Sequence, residues 1–163
     1  MEPTSEPRMR SPGVRVPPPV FLLVGVFVGW LLERRVRSLP LHVPQAIGEP
    51  LGLALVVAGL AFAYWGVFTF RRAGTAIVPM RKATSIVTDG PYRYTRNPMY
   101  TGFAILYLGL TLLMNSVWPL LFLPLCMYAL VRFVIRREER YLGQAFPDEY
   151  AAYRARVKRW GAF

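Results

Sequence analysis

Apolar positions along the chain gather into three runs, set apart by polar, proline-rich or basic stretches. Residues 51–70 (LGLALVVAGLAFAYWGVFTF) carry no charge over 20 positions, the length a helix needs to cross a bilayer core. Within this run Gly52, Gly59 and Gly66 recur every seventh position and fall on one helix face. Such a face either seats a neighbouring helix closely or reflects how common glycine is in membrane helices. Residues 99–135 hold a single charge, Arg132, and are too many for one crossing. Asn115-Ser116, with Pro119 just beyond, divides them into a predicted tight helical hairpin of residues 99–114 and 117–135. Pro124 is expected to kink the second arm. The third run, residues 20–32 (VFLLVGVFVGWLL), follows three prolines suited to a helix start. It is short for a span but is predicted to be a membrane helix, with Gly25 and Gly29 as a GxxxG pair. After Ile135 the chain turns charged and is expected to stay helical to about Arg159.

The predicted fold is all-α: an integral-membrane bundle of about four spans with a polar helical segment at the C-terminal end. Residues 1–16 form a disordered tail, 17–70 two N-terminal membrane helices, and 71–163 a core made of a loop, the hairpin 99–135 and the polar segment.

Composition agrees with this and removes other classes. The 163 residues are 54% hydrophobic and only 18% charged, yet carry a net charge of +11. A disordered chain is poor in apolar residues, and a free-standing nucleic-acid binder is less apolar than this. One cysteine, Cys126, excludes a disulfide framework and reads as an apolar core residue. Four spans put both termini on one side. Seventeen of the 20 Lys and Arg residues then share that side, and Arg34, Arg35 and Arg37 lie opposite. The positive-inside rule places the tail, the loop 71–98 and the C-terminal segment in the cytoplasm, at the inner membrane if the cell is bacterial.

Polar chemistry collects in two stretches that the hairpin brings to the same end. The first is residues 88–102 (TDGPYRYTRNPMYTG). Asp89-Gly90-Pro91 signals a turn, and Asn97-Pro98 an extended residue before a helix start, whose free N–H groups favour a carboxylate. Tyr92, Tyr94 and Tyr100 add aromatic faces, either for a ligand or as interfacial belt residues. The second stretch begins at Glu138-Glu139, just past the last apolar residue. Adjacent helical residues point about 100° apart, so the two differ in role. One carboxylate can accept the hydroxyls of a ribose while the other pairs with Arg136, Arg140 or a loop cation; alternatively both form a solvated charged face. His42 is the only histidine and falls in a short outer loop. No metal-ligand cluster, P-loop or GxGxxG is present, and the uncharged runs give no support to an ion path.

These stretches, in this order, resemble the isoprenylcysteine carboxyl methyltransferase family in its short bacterial form. The matching parts are FRRAGT (70–75), TDGPYRYTRNPMYTG (88–102), EERYL (138–142) and FPDEYAAYRARVKRW (146–160). The resemblance implies an integral-membrane methyltransferase that uses S-adenosylmethionine in a pocket closed by the C-terminal segment. Its acceptor would be lipophilic or membrane-associated, most simply a carboxylate or a thiol. Arg96-Asn97-Pro98-x-Tyr100 matches the family's Arg-His-Pro-x-Tyr, Glu138-Glu139 its paired glutamates, and Glu149-Tyr150, Tyr153 and Arg156 its tail. Asn97 stands where His is usual and cannot titrate near neutral pH, which favours positioning over acid–base work. On this reading Arg96 and Arg156 steer the acceptor. Glu138 or Glu139 holds the cofactor ribose, and Pro91, Tyr92, Tyr94, Asn97, Pro98, Tyr100 and Gly102 complete the cofactor site, with no metal. The related phospholipid N-methyltransferases carry a Gly-x-Gly that this chain lacks, and sterol-reductase-like enzymes, which would need a nicotinamide cofactor, are longer.

Overall fold

The computed structural model describes residues 13–14, 16–74 and 85–161. Most of the expected tail and residues 75–84 of the loop 71–98 therefore lie outside the described residues. Six helices make up the described chain: α1 (Pro19–Arg35), α2 (Gln45–Arg72), α3 (Pro98–Leu113), α4 (Val117–Leu130), α5 (Arg136–Ala145) and α6 (Pro147–Arg156). A short 3-10 turn, Gly90–Arg93, precedes α3. A π-helical turn, Val131–Ile135, joins α4 to α5 without a break.

α2 begins six residues before the uncharged run, because Gln45–Glu49 has helix-compatible residues and Pro50 is accommodated inside the first turns. At 28 residues it is about 42 Å long. The continuous helix from Val117 to Ala145 reaches about 43 Å. Both are long and apolar enough to cross a membrane. α1 and α3, with 17 and 16 residues, are each about 25 Å long. Leu23, Phe27, Leu53, Val57, Leu60, Leu121 and Leu125 are all more than half exposed. An apolar face of this extent on α1, α2 and α4 suits lipid, not water, and the chain is a membrane protein built as a helical bundle.

Glycines set which helices touch. A Cβ on Gly59 would lie 2.5 Å from Leu106 N and 2.6 Å from Gly102 O, and one on Gly109 2.7 Å from Gly52 O. The heptad glycines of α2 thus seat α3 backbone against backbone, in antiparallel register. On α1, Gly25 makes room for the side chains of Cys126 and Tyr107, and Gly29 brings the helix against the backbone of Pro119 in α4. The arms of the hairpin consequently lie along α2 and α1 more than along each other. Asn115 makes the turn between them at φ +46, a conformation asparagine tolerates better than most residues. Ser116 caps α4 by accepting from Trp118 N.

The end of the bundle away from the polar stretches is closed by Glu33. Its carboxylate accepts from Ser38, from Leu39 N at 3.1 Å and from Ser116 Oγ at 2.7 Å. Val117 N reaches Leu39 O at 2.8 Å. The loop after α1 is thereby tied to the α3–α4 turn.

A buried tyrosine and glutamate cluster at the mouth of the bundle

Residues 87–98 are shaped by local rules. Gly90 takes φ +58, where a side chain would be strained and would also meet Thr69. Tyr92 N and Tyr94 N then close the turn on Asp89 O and Pro91 O. This aims the Tyr92 ring inward, edge-on to Phe70 at 5.0 Å, into a core with Val87, Tyr150, Tyr153 and Val157. Asn97 is held out of the helical region by Pro98, as expected, but at φ −132 and ψ 54 it is not fully extended.

The C-terminal segment packs over this stretch. Lys158 O accepts from Arg96 N at 3.1 Å. Arg159 O accepts from Thr95 Oγ1 at 2.7 Å and from Asn97 Nδ2 at 3.2 Å. Tyr153 Oη donates to Tyr92 O at 2.8 Å. Asn97 is therefore engaged with Arg159, a positioning contact that needs a donor and no titration.

The two glutamates diverge. Glu139 sits between two arginines. Arg96 Nη1 lies 3.0 Å from its Oε1, and Arg159 adds Nε at 3.0 Å and Nη2 at 2.6 Å. All three side chains are at least two-thirds buried. The carboxylate holds the Arg159 guanidinium more firmly protonated than usual. Arg96 Nη1 also donates to Tyr150 Oη at 3.2 Å. Glu138 faces elsewhere and accepts from Tyr100 Oη at 2.7 Å. Burial pushes its carboxyl up to about 7, opposed by the Tyr100 bond and aided by the nearby charge of Glu139.

Two buried polar atoms have no hydrogen-bond partner among the described residues: Tyr92 Oη and Arg96 Nε. Burial, then the neighbouring Tyr153 and Glu138, keeps the Tyr92 phenol firmly protonated, so it is a donor. Buried donors left unpaired cost free energy unless a ligand or water meets them. Glu138 thus has Tyr100 as its hydrogen-bond partner among the described residues. The cluster holds a buried carboxyl and two buried unpaired donors.

Among the expected residues, Tyr92, Arg96, Asn97, Pro98, Tyr100, Glu138 and Glu139 meet here, with Pro91 buried in the turn that carries Tyr92. Three do not. Tyr94 is 58% exposed. Gly102 faces α2, where its missing side chain makes room for Ala63 and Gly59. Arg156 is exposed, bonded weakly to Ala152 O of its own helix, and lines an outer cleft of about 390 Å³ with Thr88, Asp89, Arg93, Tyr153 and Val157. Sequence reasoning missed Arg159, although it stands inside the matched VKRW stretch.

Comparison with known proteins accords with this arrangement. A family model described as phospholipid methyltransferase matches residues 49–149. The protein-S-isoprenylcysteine O-methyltransferase of Schizosaccharomyces pombe is 39% identical over 72 residues, 44% of this chain and 30% of that protein. The cobalt-zinc-cadmium resistance protein CzcN of Cupriavidus metallidurans is 35% identical over 110 residues, 67% of this chain and 48% of that protein. Protein-S-isoprenylcysteine O-methyltransferase B of Arabidopsis thaliana is 27% identical over 108 residues, 65% of this chain and 55% of its own length. The chain spans between about a third and about half of the length of these relatives. The matched region contains the glycine seam, the turn carrying Tyr92, Arg96 and the glutamate pair, and the chain belongs to the phospholipid methyltransferase family, as a member of its isoprenylcysteine methyltransferase type.

Proposed function

We propose that the protein transfers a methyl group from S-adenosylmethionine to a lipophilic, membrane-associated acceptor, most simply a carboxylate. The observation that carries this reading is the cluster itself: Glu138 bonded to Tyr100, in a cluster with two unpaired buried donors, Tyr92 Oη and Arg96 Nε, at one end of a lipid-facing bundle. The residues suit the cofactor's groups. Glu138 can accept from a ribose hydroxyl, and Tyr92 Oη and Arg96 Nε can donate to a carboxylate. When bound, S-adenosylmethionine supplies an electrophilic methyl group for in-line displacement. The protein's part is alignment and the exclusion of water, which supply much of the acceleration in such a step.

Charge favours an anionic acceptor. Arg96 and Arg159 share one carboxylate, Glu139, which leaves one positive charge in excess in a mostly buried place. A carboxylate acceptor is already ionised and needs no general base. Arg156, on the outer cleft, serves approach and not the reaction centre. We place this end of the bundle in the cytoplasm, with four crossings and both termini inside, because seventeen basic residues lie on that side.

Titration calorimetry in detergent tests the assignment. The wild type should bind S-adenosylmethionine and not a nicotinamide cofactor. Glu138→Ala weakens cofactor binding at least about tenfold, the size of one lost charge-assisted hydrogen bond. Equal binding by Glu138→Ala and wild type would reject the ribose role.

A further inference from the structure

Past its apolar part, the helix from Val117 to Ala145 has two unlike sides. Val134, Ile135 and Tyr141 are buried, and Glu138 and Glu139 turn into the polar cluster. Arg132, Arg136 and Arg140 are all exposed, at a four-residue spacing that holds them in one row. The row prolongs an apolar one: Leu121, Leu125 and Tyr128 are 60%, 62% and 64% exposed, and Phe133 lies beside it at 49%. The Arg132 guanidinium sits 6.0 Å from the Phe133 ring. In sequence these arginines flank the glutamate pair, which would neutralise them on a solvated helix. The fold uses both glutamates elsewhere, Glu139 on Arg96 and Arg159 and Glu138 on Tyr100. Among the described residues no ion pair or hydrogen bond reaches the side chains of Arg132, Arg136 or Arg140. Like charges at this spacing repel, and the row is left with its positive charge uncompensated.

The place of the row in the bundle points to its partner. Arg132 to Arg140 covers about 12 Å along the helix axis, and one headgroup layer is about 5–8 Å thick. A row that starts where the exposed leucines and Tyr128 end therefore crosses that layer. Arg132 falls at its hydrocarbon edge, with a side chain long enough to snorkel outward. Arg136 falls within it and Arg140 on its water side. We propose that Arg132, Arg136 and Arg140 dock the headgroup of an anionic phospholipid, whose acyl chains lie along Leu121, Leu125 and Tyr128. Continuity with the apolar row selects a lipid over a soluble anion. The uncompensated charge selects an anionic lipid over a zwitterionic one. Guanidinium suits the lipid phosphate, because its fork of N–H groups bonds two oxygens at once. This surface faces away from the glutamates, and the inference stands apart from the function proposed above.

The test titrates the full chain in detergent with phosphatidylglycerol and with phosphatidylcholine, and reads bound lipid by native mass spectrometry. Wild type should prefer phosphatidylglycerol at least about tenfold, since each arginine near an anionic headgroup layer contributes about fivefold. The triple variant Arg132→Gln, Arg136→Gln, Arg140→Gln should lose that preference. The corresponding triple change to Lys should keep most of it. Arg136→Gln alone should lose about fivefold, which keeps the test open if the triple Gln variant does not fold. Arg35→Gln, an exposed arginine at the other end of the bundle, should bind as wild type does. Equal binding of the two lipids by wild type, or a preference that survives in the Gln variants, overturns the proposal. So does an equal loss in Arg35→Gln, which would mark a general attraction of a basic protein for anionic lipid. Displacement of bound lipid by millimolar glycerol phosphate would overturn it in favour of a site for soluble anions.

Discussion

Replacing Glu139 with Gln should destabilise the protein more than any other single change in the polar cluster. The carboxylate takes two hydrogen bonds from Arg159 and an ion pair with Arg96, with side-chain exposures of 12% for Arg96, 15% for Glu139 and 32% for Arg159. Removing its charge leaves two cations facing each other in a mostly buried site. Breaking a buried pair from one side costs about 3–5 kcal/mol. Water reaches Arg159 and lowers that figure, so about 2–4 kcal/mol is expected here. For a chain of this size each kcal/mol moves the melting temperature by about 2–4 °C. Glu139→Gln should thus melt about 4–16 °C below wild type in detergent. Arg159→Ala leaves the Arg96–Glu139 pair intact and should cost about 1 kcal/mol. The double variant should fall short of the sum, because both changes remove the same contact. A Glu139→Gln protein that melts with wild type but has lost cofactor affinity would refute the division of roles between the two glutamates.

Other consequences are equally direct. Glu138 holds its proton more tightly when folded, with its carboxyl raised from 4.5 to about 7. Its contribution to stability is therefore full below pH 4.5 and falls as pH rises through about 7. Glu138→Gln should remove that slope and gain on the order of 3 kcal/mol over wild type at pH 8, read from melting curves across pH. Gly59→Ala drives a methyl group into the α3 backbone and should cost about 3 kcal/mol or more, since backbone cannot step aside as a side chain does. Arg156→Ala, exposed and bonded only within its helix, should change stability by less than about 0.5 kcal/mol. It should leave cofactor affinity intact and raise KM for an anionic acceptor.

The bundle was legible because lipid imposes a simple rule: uncharged runs of the right length become helices. The glycine spacing of α2 also carried its meaning, since a seven-residue repeat keeps one face in contact. The meeting of residues 88–102 with the C-terminal segment followed from a hairpin joining them. Pairing within the cluster did not follow. Glu138 and Glu139 are identical in type, and only the directions taken by Tyr100, Arg96 and Arg159 separate them. Arg156 and Arg159 both lie in a basic stretch, and the end of α6 at Arg156 decides which turns inward. Tyr94 and Gly102 share a motif with site residues, but one faces solvent and the other a neighbouring helix.

The proposed activity is transfer of a methyl group onto a lipophilic acceptor. Incubation of the purified protein with methyl-labelled S-adenosylmethionine and a membrane extract tests this. Label should enter an organic-extractable product, be released as methanol by mild base as a methyl ester requires, and fall strongly when Glu138→Ala replaces wild type. Cofactor bound by the protein with no label passed to any lipophilic product would contradict it.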